Sequence, residues 1–146
     1  MQRLSVMCND GTNPTDPRVW SDFARRADGV GRGFGSHWTY LSLGCATWPG
    51  GPDPDRYTGP WNRETAAPVL VIGNRKGDPA TPYEDARTTS RLLADARLLT
   101  LDSFGHGARG ESACIDGALT AYFTDGTLPA EGAVCEPDRG PFDPVP

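Results

Sequence analysis

The chain has 146 residues, with 14 basic and 19 acidic side chains and a formal net charge of -5. That length supports one domain with a real core, and the acidic balance leaves no basic stripe to neutralise the phosphates of nucleic acid or an anionic membrane. No stretch approaches the ~18 apolar residues of a membrane span, and the 18 glycines and 14 prolines point to long loops within a globular chain.

Leu4 to Cys8 reads as a short buried strand that ends at an Asn9-Asp10-Gly11 turn. The same turn interrupts the apolar core a signal peptide would need, so the opening reads as the interior of a larger coding frame. Asp16-Pro17 looks like a helix start, with Asp as the cap and Pro in the first turn. Val19, Trp20, Phe23, Ala24 and Ala27 recur at helical spacing and predict an amphipathic helix over 17–27, broken by Gly29 to Gly35. Phe34 to Cys45 reads as a second helix with Trp38, Leu41 and Cys45 on one face, and 48–67 as a long ordered loop rich in Gly-Pro and Asp-Pro pairs.

Val69 to Ile72 predicts a second strand, Tyr83 to Leu93 a half-exposed helix, and Leu98 to Leu101 a third strand. Ser112 is placed to cap a last helix over Ala113 to Phe123, after which the proline-rich tail from Thr127 is expected to be irregular. The domain is drawn over 1–136, with 137–146 as an irregular tail. Strands alternating with helices imply parallel pairing through crossovers, hence an α/β fold of about three parallel strands with flanking helices.

Two of these strands end in loops that carry an ionisable residue. Val69 to Ile72 leads to Asp78-Pro79-Ala80-Thr81-Pro82, and Leu98 to Leu101 leads to Gly105-His106-Gly107. The separation allows one helix and one strand between the two loops, so both should emerge at the same edge of the sheet, where open parallel sheets place their chemistry. A histidine acting as general base needs a carboxylate to fix its tautomer and stabilise its cation. Asp78 and His106 are therefore the candidate catalytic pair. Arg75 and Lys76, just ahead of Asp78, read either as surface decoration or as charges that would lower the pKa of the acid.

A nucleophile is not legible. The expected G-x-S-x-G turn after a strand occurs nowhere. Ser112, in Gly110-Glu111-Ser112-Ala113-Cys114, comes nearest, but it lacks the second glycine and starts a helix. Cys8 is a poor thiol nucleophile if it is oxidised. His37 reads as a helix-face residue, and Trp20, Trp38, Trp48 and Trp61 as core or loop anchors, since the cations that accompany base stacking are missing. Asn9 and Asp10 could border a substrate cleft, although a plain turn accounts for them.

The four cysteines, Cys8, Cys45, Cys114 and Cys135, include no C-x-x-C pair, which suits disulfides better than a zinc site. Three pairings are open. The local one, Cys8 with Cys45 and Cys114 with Cys135, is the expected choice, and it implies an oxidising compartment; four free buried thiols in a cytosolic protein are the rival.

Taken together, these segments resemble a known family. The Cys8-Asn9-Asp10 and Cys45-Ala46-Thr47-Trp48-Pro49 segments, Pro68 to Val71, Asp78 to Glu84, Gly105-His106-Gly107, Cys114, the run Tyr122 to Pro129, and Cys135 are similar to the C-terminal part of secreted tripeptidyl aminopeptidase-like α/β-hydrolases of actinobacteria. The resemblance implies the C-terminal half of an α/β-hydrolase fold, whose three strands would be the last of eight. It implies a serine exopeptidase or a related carboxylesterase, with Asp78 as the triad acid, His106 as the base, and the same two disulfides. It further implies a secreted or extracytoplasmic protein that needs no cofactor or metal. The serine elbow, the lid and the residues that hold a peptide's amino group would lie upstream of residue 1.

On this reading the chain would be inactive alone. Completed by an N-terminal half, it would take a peptide substrate. Its exposed first strand invites pairing with that half or with a second copy. A non-catalytic interaction module and a truncated reading frame are the alternatives.

Overall fold

The computed structural model describes residues 2–144. Two compact units are distinguished, one ending at Thr58 and one beginning at Gly59.

The first unit is helical. Its opening segment is α1, Gln2–Asp10, which corrects the strand expected at Leu4 to Cys8. A five-residue apolar run has no period that separates strand from helix, so its neighbours decide. Here Leu4 and Cys8 stand one helical turn apart. Cys8 is buried and disulfide-bonded to Cys45, and the Leu4 side chain lies beside Gly44. One face of α1 thus meets the 3-10 turn Leu43–Thr47. Asn9 belongs to the last turn of this helix and not to a post-strand turn. It accepts a hydrogen bond from Trp48 Nε1 at 3.0 Å, and its carbonyl accepts one from the Asp53 amide at 3.1 Å.

Asp16 caps the next segment as expected, its carboxylate accepting from the Arg18 amide at 3.0 Å. A 3-10 turn, Pro17–Val19, leads into α2, Trp20–Gly31. The helix runs through the expected break at Gly29, because an exposed glycine costs a helix only ~1 kcal/mol relative to alanine. It stops at Arg32, which adopts the left-handed conformation. Next comes α3, Phe34–Leu41. A β-carbon on Gly35 would lie 2.2 Å from the Ala27 backbone, so the two helices touch where only glycine fits. The predicted face through Cys45 is interrupted at Ser42, where α3 ends. Trp20, Ala24, Cys45 and Ala46 are buried with Cys8.

The second unit carries a three-stranded parallel sheet. Its elements are β1 (Val69–Asn74), α4 (Tyr83–Leu92), β2 (Ala96–Leu101), α5 (Ala113–Asp125) and β3 (Val134–Cys135). β1 pairs with β2 from Val69↔Ala96 to Asn74↔Leu101, and β2 pairs with β3 at Thr100↔Val134 and Leu101↔Cys135. Three parallel strands are present, but the third is Val134–Cys135, inside the tail expected to be irregular. Two residues carry no pattern of their own; the strand is defined by its pairing with β2, and its Cys135 is disulfide-bonded to Cys114.

Alternation along β1 and β2 assigns the two faces. Leu70, Ile72, Leu99 and Leu101 pack with Ile115 and Leu119 of α5 and with Cys135. The opposite face meets α4: a β-carbon on Gly73 would lie 2.8 Å from Ala86 Cβ, and the Tyr83 hydroxyl is 2.6 Å from Thr100 Oγ1. Helices therefore cover both faces, and the Tyr122 hydroxyl of α5 donates to the Pro68 carbonyl at the foot of β1. Ser112 occupies the N-cap position of α5 but makes no side-chain cap. Its buried hydroxyl donates to the Glu136 carbonyl at 2.7 Å, and the Asp138 carboxylate accepts from the Ala113 amide instead.

Candidate active site

The loops after β1 and β2 leave the same end of the sheet and continue to pair beyond it. The Arg75 amide donates to the Leu101 carbonyl, Lys76 to Ser103, and Gly105 to Gly77, at 2.9, 3.0 and 3.1 Å. This backbone ladder carries Asp78 and His106 to one another. His106 Nδ1 lies 3.0 Å from Asp78 Oδ2 and 3.1 Å from Oδ1.

Asp78 is about nine-tenths buried and saturated with donors. Oδ1 accepts from the amides of Ala80 and Thr81, both at 2.9 Å, and Oδ2 accepts from the Thr81 hydroxyl at 2.7 Å. The Asp-Pro-x-Thr sequence makes this a local nest: Pro79 turns the chain so that the next two amides face back on the carboxylate. These donors, the Thr81 amide first, hold the Asp78 carboxyl well below the ordinary carboxylate range. The Thr81 hydroxyl is also 3.3 Å from His106 Nδ1, but its one proton is engaged by the closer carboxylate oxygen. That leaves Nδ1–H to donate to Asp78 and Nε2 as the free base position. The imidazole is well exposed, with side-chain accessibility of 61% against 5% for Asp78.

Arg75 and Lys76 do not act on Asp78. Both engage Asp102, the residue after β2, through Arg75 Nη2 at 2.8 Å and Lys76 Nζ at 3.1 Å. The pairing, chiefly with Arg75, holds the Asp102 carboxyl below the ordinary carboxylate range and pushes the Arg75 guanidinium up. Asp102, Thr81 and Asn74 escaped the sequence reading. A basic pair after one strand and an acid directly after its neighbour in register was the available signal for Asp102.

The pair opens onto a cleft of about 430 Å³ lined by Val71 to Asn74 of β1, by Asp85, Ala86 and Thr89 of α4, and by Asp78, Thr81 and His106. Among the described residues no strand pairs with the outer edge of β1. Ser112 is fully buried and hydrogen-bonded to Glu136, and all four cysteines are oxidised as Cys8–Cys45 and Cys114–Cys135. His37 is an exposed residue of α3. No group of metal-ligating side chains occurs among the described residues, and no helix among them is long and apolar enough to cross a membrane.

A parallel sheet with helices on both faces, whose adjacent strands bring a carboxylate and an imidazole to one edge, matches the α/β-hydrolase arrangement expected from the sequence. A family model described as TAP-like protein matches residues 30–135. The chain belongs to the TAP-like family of α/β-hydrolases and is in that sense a hydrolase-family protein. It is 33% identical over 144 residues to carboxylesterase B of Mycobacterium tuberculosis, covering 91% of this chain and 26% of that protein. It is 30% identical over 144 residues to tripeptidyl aminopeptidase of Streptomyces lividans, covering 94% of this chain and 25% of the relative. The chain thus spans about a quarter of the length of the curated relatives it matches.

Proposed function

We propose that this chain supplies the acid and the base of a serine hydrolase, Asp78 and His106, to a nucleophile carried on a segment outside it. The observation that supports this is the 3.0 Å contact between His106 Nδ1 and Asp78 Oδ2, with the rest of the ring exposed over the cleft. A serine hydroxyl placed at Nε2 would lose its proton to His106 as it attacks the scissile carbonyl. His106 would return that proton to the leaving group, and Asp78 would stabilise the cation in between. The chain's own serine nearest to an elbow pattern, Ser112, is buried and already hydrogen-bonded, which supports an external nucleophile.

The companion segment would pair with the open edge of β1, next to the cleft. The edge first expected for this role, Leu4 to Cys8, is helical. The substrate we favour is a peptide, processed from its N-terminus to release short peptides, by analogy with the tripeptidyl aminopeptidases among the relatives. An ester is the second reading, favoured by the 33% identical relative named carboxylesterase. Two disulfides support a secreted or extracytoplasmic location.

The test is covalent labelling with a fluorophosphonate probe. The isolated chain is expected to remain unlabelled. Co-refolding with an α/β-hydrolase N-terminal half that bears a G-x-S-x-G elbow should restore labelling on that half, and His106→Ala should abolish it. Labelling of Ser112 in the isolated chain overturns the proposal.

A further inference from the structure

The geometry points to Asn74 as the residue that positions His106. This inference rests on the proposed Asp78–His106 pair and adds the group that fixes the histidine backbone. Asn74 is the last residue of β1 and is 2% exposed. Its Nδ2 donates to the Gly105 carbonyl at 2.6 Å and to the Gly107 carbonyl at 2.7 Å. Both amide protons are therefore spent on the two peptides that flank His106. Those carbonyls can converge on one amide because Gly105 and Gly107 adopt φ of 97° and 102°, a region that residues with side chains avoid.

The other end of the same side chain argues for a role beyond packing. Asn74 Oδ1 is buried and has no partner among the described residues. Asn74 shares its face of β1 with Leu70 and Ile72, which pack into the apolar cluster, so a leucine there would bury without an unpaired acceptor of its own. What asparagine adds at this position is the forked donor. The clamp on two carbonyls fixes the path of the histidine loop, and the Gly105–Gly77 backbone bond ties that loop to the one bearing Asp78. Together they set where the imidazole root sits, and so whether Nδ1 can reach the carboxylate.

The experiment reads the tautomer of His106 in the full 15N-labelled chain by long-range 1H–15N correlation at about pH 8.5, where an ordinary histidine is neutral. Wild type is expected to show His106 as the Nδ1–H tautomer. Asn74→Ala, and Asn74→Leu as the variant that also keeps the side-chain volume, are expected to lose that signature while leaving His37 unchanged. Asp78→Asn should lose it as well. Retention of the Nδ1–H tautomer in both Asn74 variants, with loss in Asp78→Asn, overturns the role of Asn74 and spares the acid–base pair. A wild-type His106 without the Nδ1–H tautomer instead defeats the acid–base reading itself. Should both Asn74 variants unfold, the Asn74 side-chain amide protons of wild type decide: slow exchange with solvent supports the clamp, and fast exchange overturns it.

Discussion

Replacing Cys114 and Cys135 together by alanine tests how β3 is held. This strand has two residues, and its hydrogen bonds to β2 include Thr100 N to the Ala133 carbonyl at 3.1 Å and Asp102 N to the Cys135 carbonyl at 2.8 Å. Such a short strand has little capacity to hold itself in a sheet. The disulfide closes a sequence separation of 21 residues. The loop-entropy relation assigns that closure about 3 kcal/mol of destabilisation of the unfolded chain, which is lost in the double variant. Cys135 is also part of the apolar cluster around Leu99, Leu101 and Ile115, so the loss should fall on the second unit. Native-state hydrogen exchange measures it locally. The Thr100 and Asp102 amides should exchange roughly 100-fold faster or more in the variant, since 1.4 kcal/mol corresponds to a factor of ten. Acceleration of less than about tenfold at those two amides would show that β3 docks without its crosslink and refute the reasoning. The premise is checked first: the denatured, unreduced wild-type chain should titrate no free thiol.

Acid should destabilise the fold from about the ordinary carboxylate value of 3.8 downward, because Asp78 and Asp102 are both held below it. A carboxylate depressed in the folded state stabilises at pH above its unfolded value and loses that contribution as pH falls towards the folded one. In urea titrations from pH 7 downward, Asp78→Asn and Asp102→Asn should start less stable than wild type and converge on it in acid. A pH-independent gap would refute the assignment. Gly73→Val should cost about 1–3 kcal/mol through overpacking against α4, because even its β-carbon would meet Ala86 Cβ at 2.8 Å. A urea midpoint equal to wild type would show that α4 can move away.

The parts legible in the sequence are those whose signal is local. β1, α4, β2 and α5 were readable because each is a periodic or β-rich run bounded by turn residues. The closeness of Asp78 and His106 is legible because both loops follow adjacent parallel strands and so leave the same edge of the sheet. The disulfide pairing followed from proximity along the chain. Leu4 to Cys8 was misread because a short apolar run takes its conformation from what it packs on, here the turn around Cys45. Val134–Cys135 was missed because a two-residue strand is defined by its neighbour, and Asn74 because a polar residue ending a strand gives no hint of which carbonyls it will meet. Ser112 was placed correctly at the start of α5, but the acceptor that caps the helix came from Asp138, beyond the reach of a local rule.

The ladder that joins the two loops past the sheet has a consequence for inheritance. The groups that fix Asp78 and His106 relative to each other all lie between Asn74 and Gly107. Recombination that joins this stretch to a different upstream sequence would carry the pair across with its spacing intact. A split gene, or a shuffled one, could therefore acquire both groups in a single genetic event instead of assembling them one at a time.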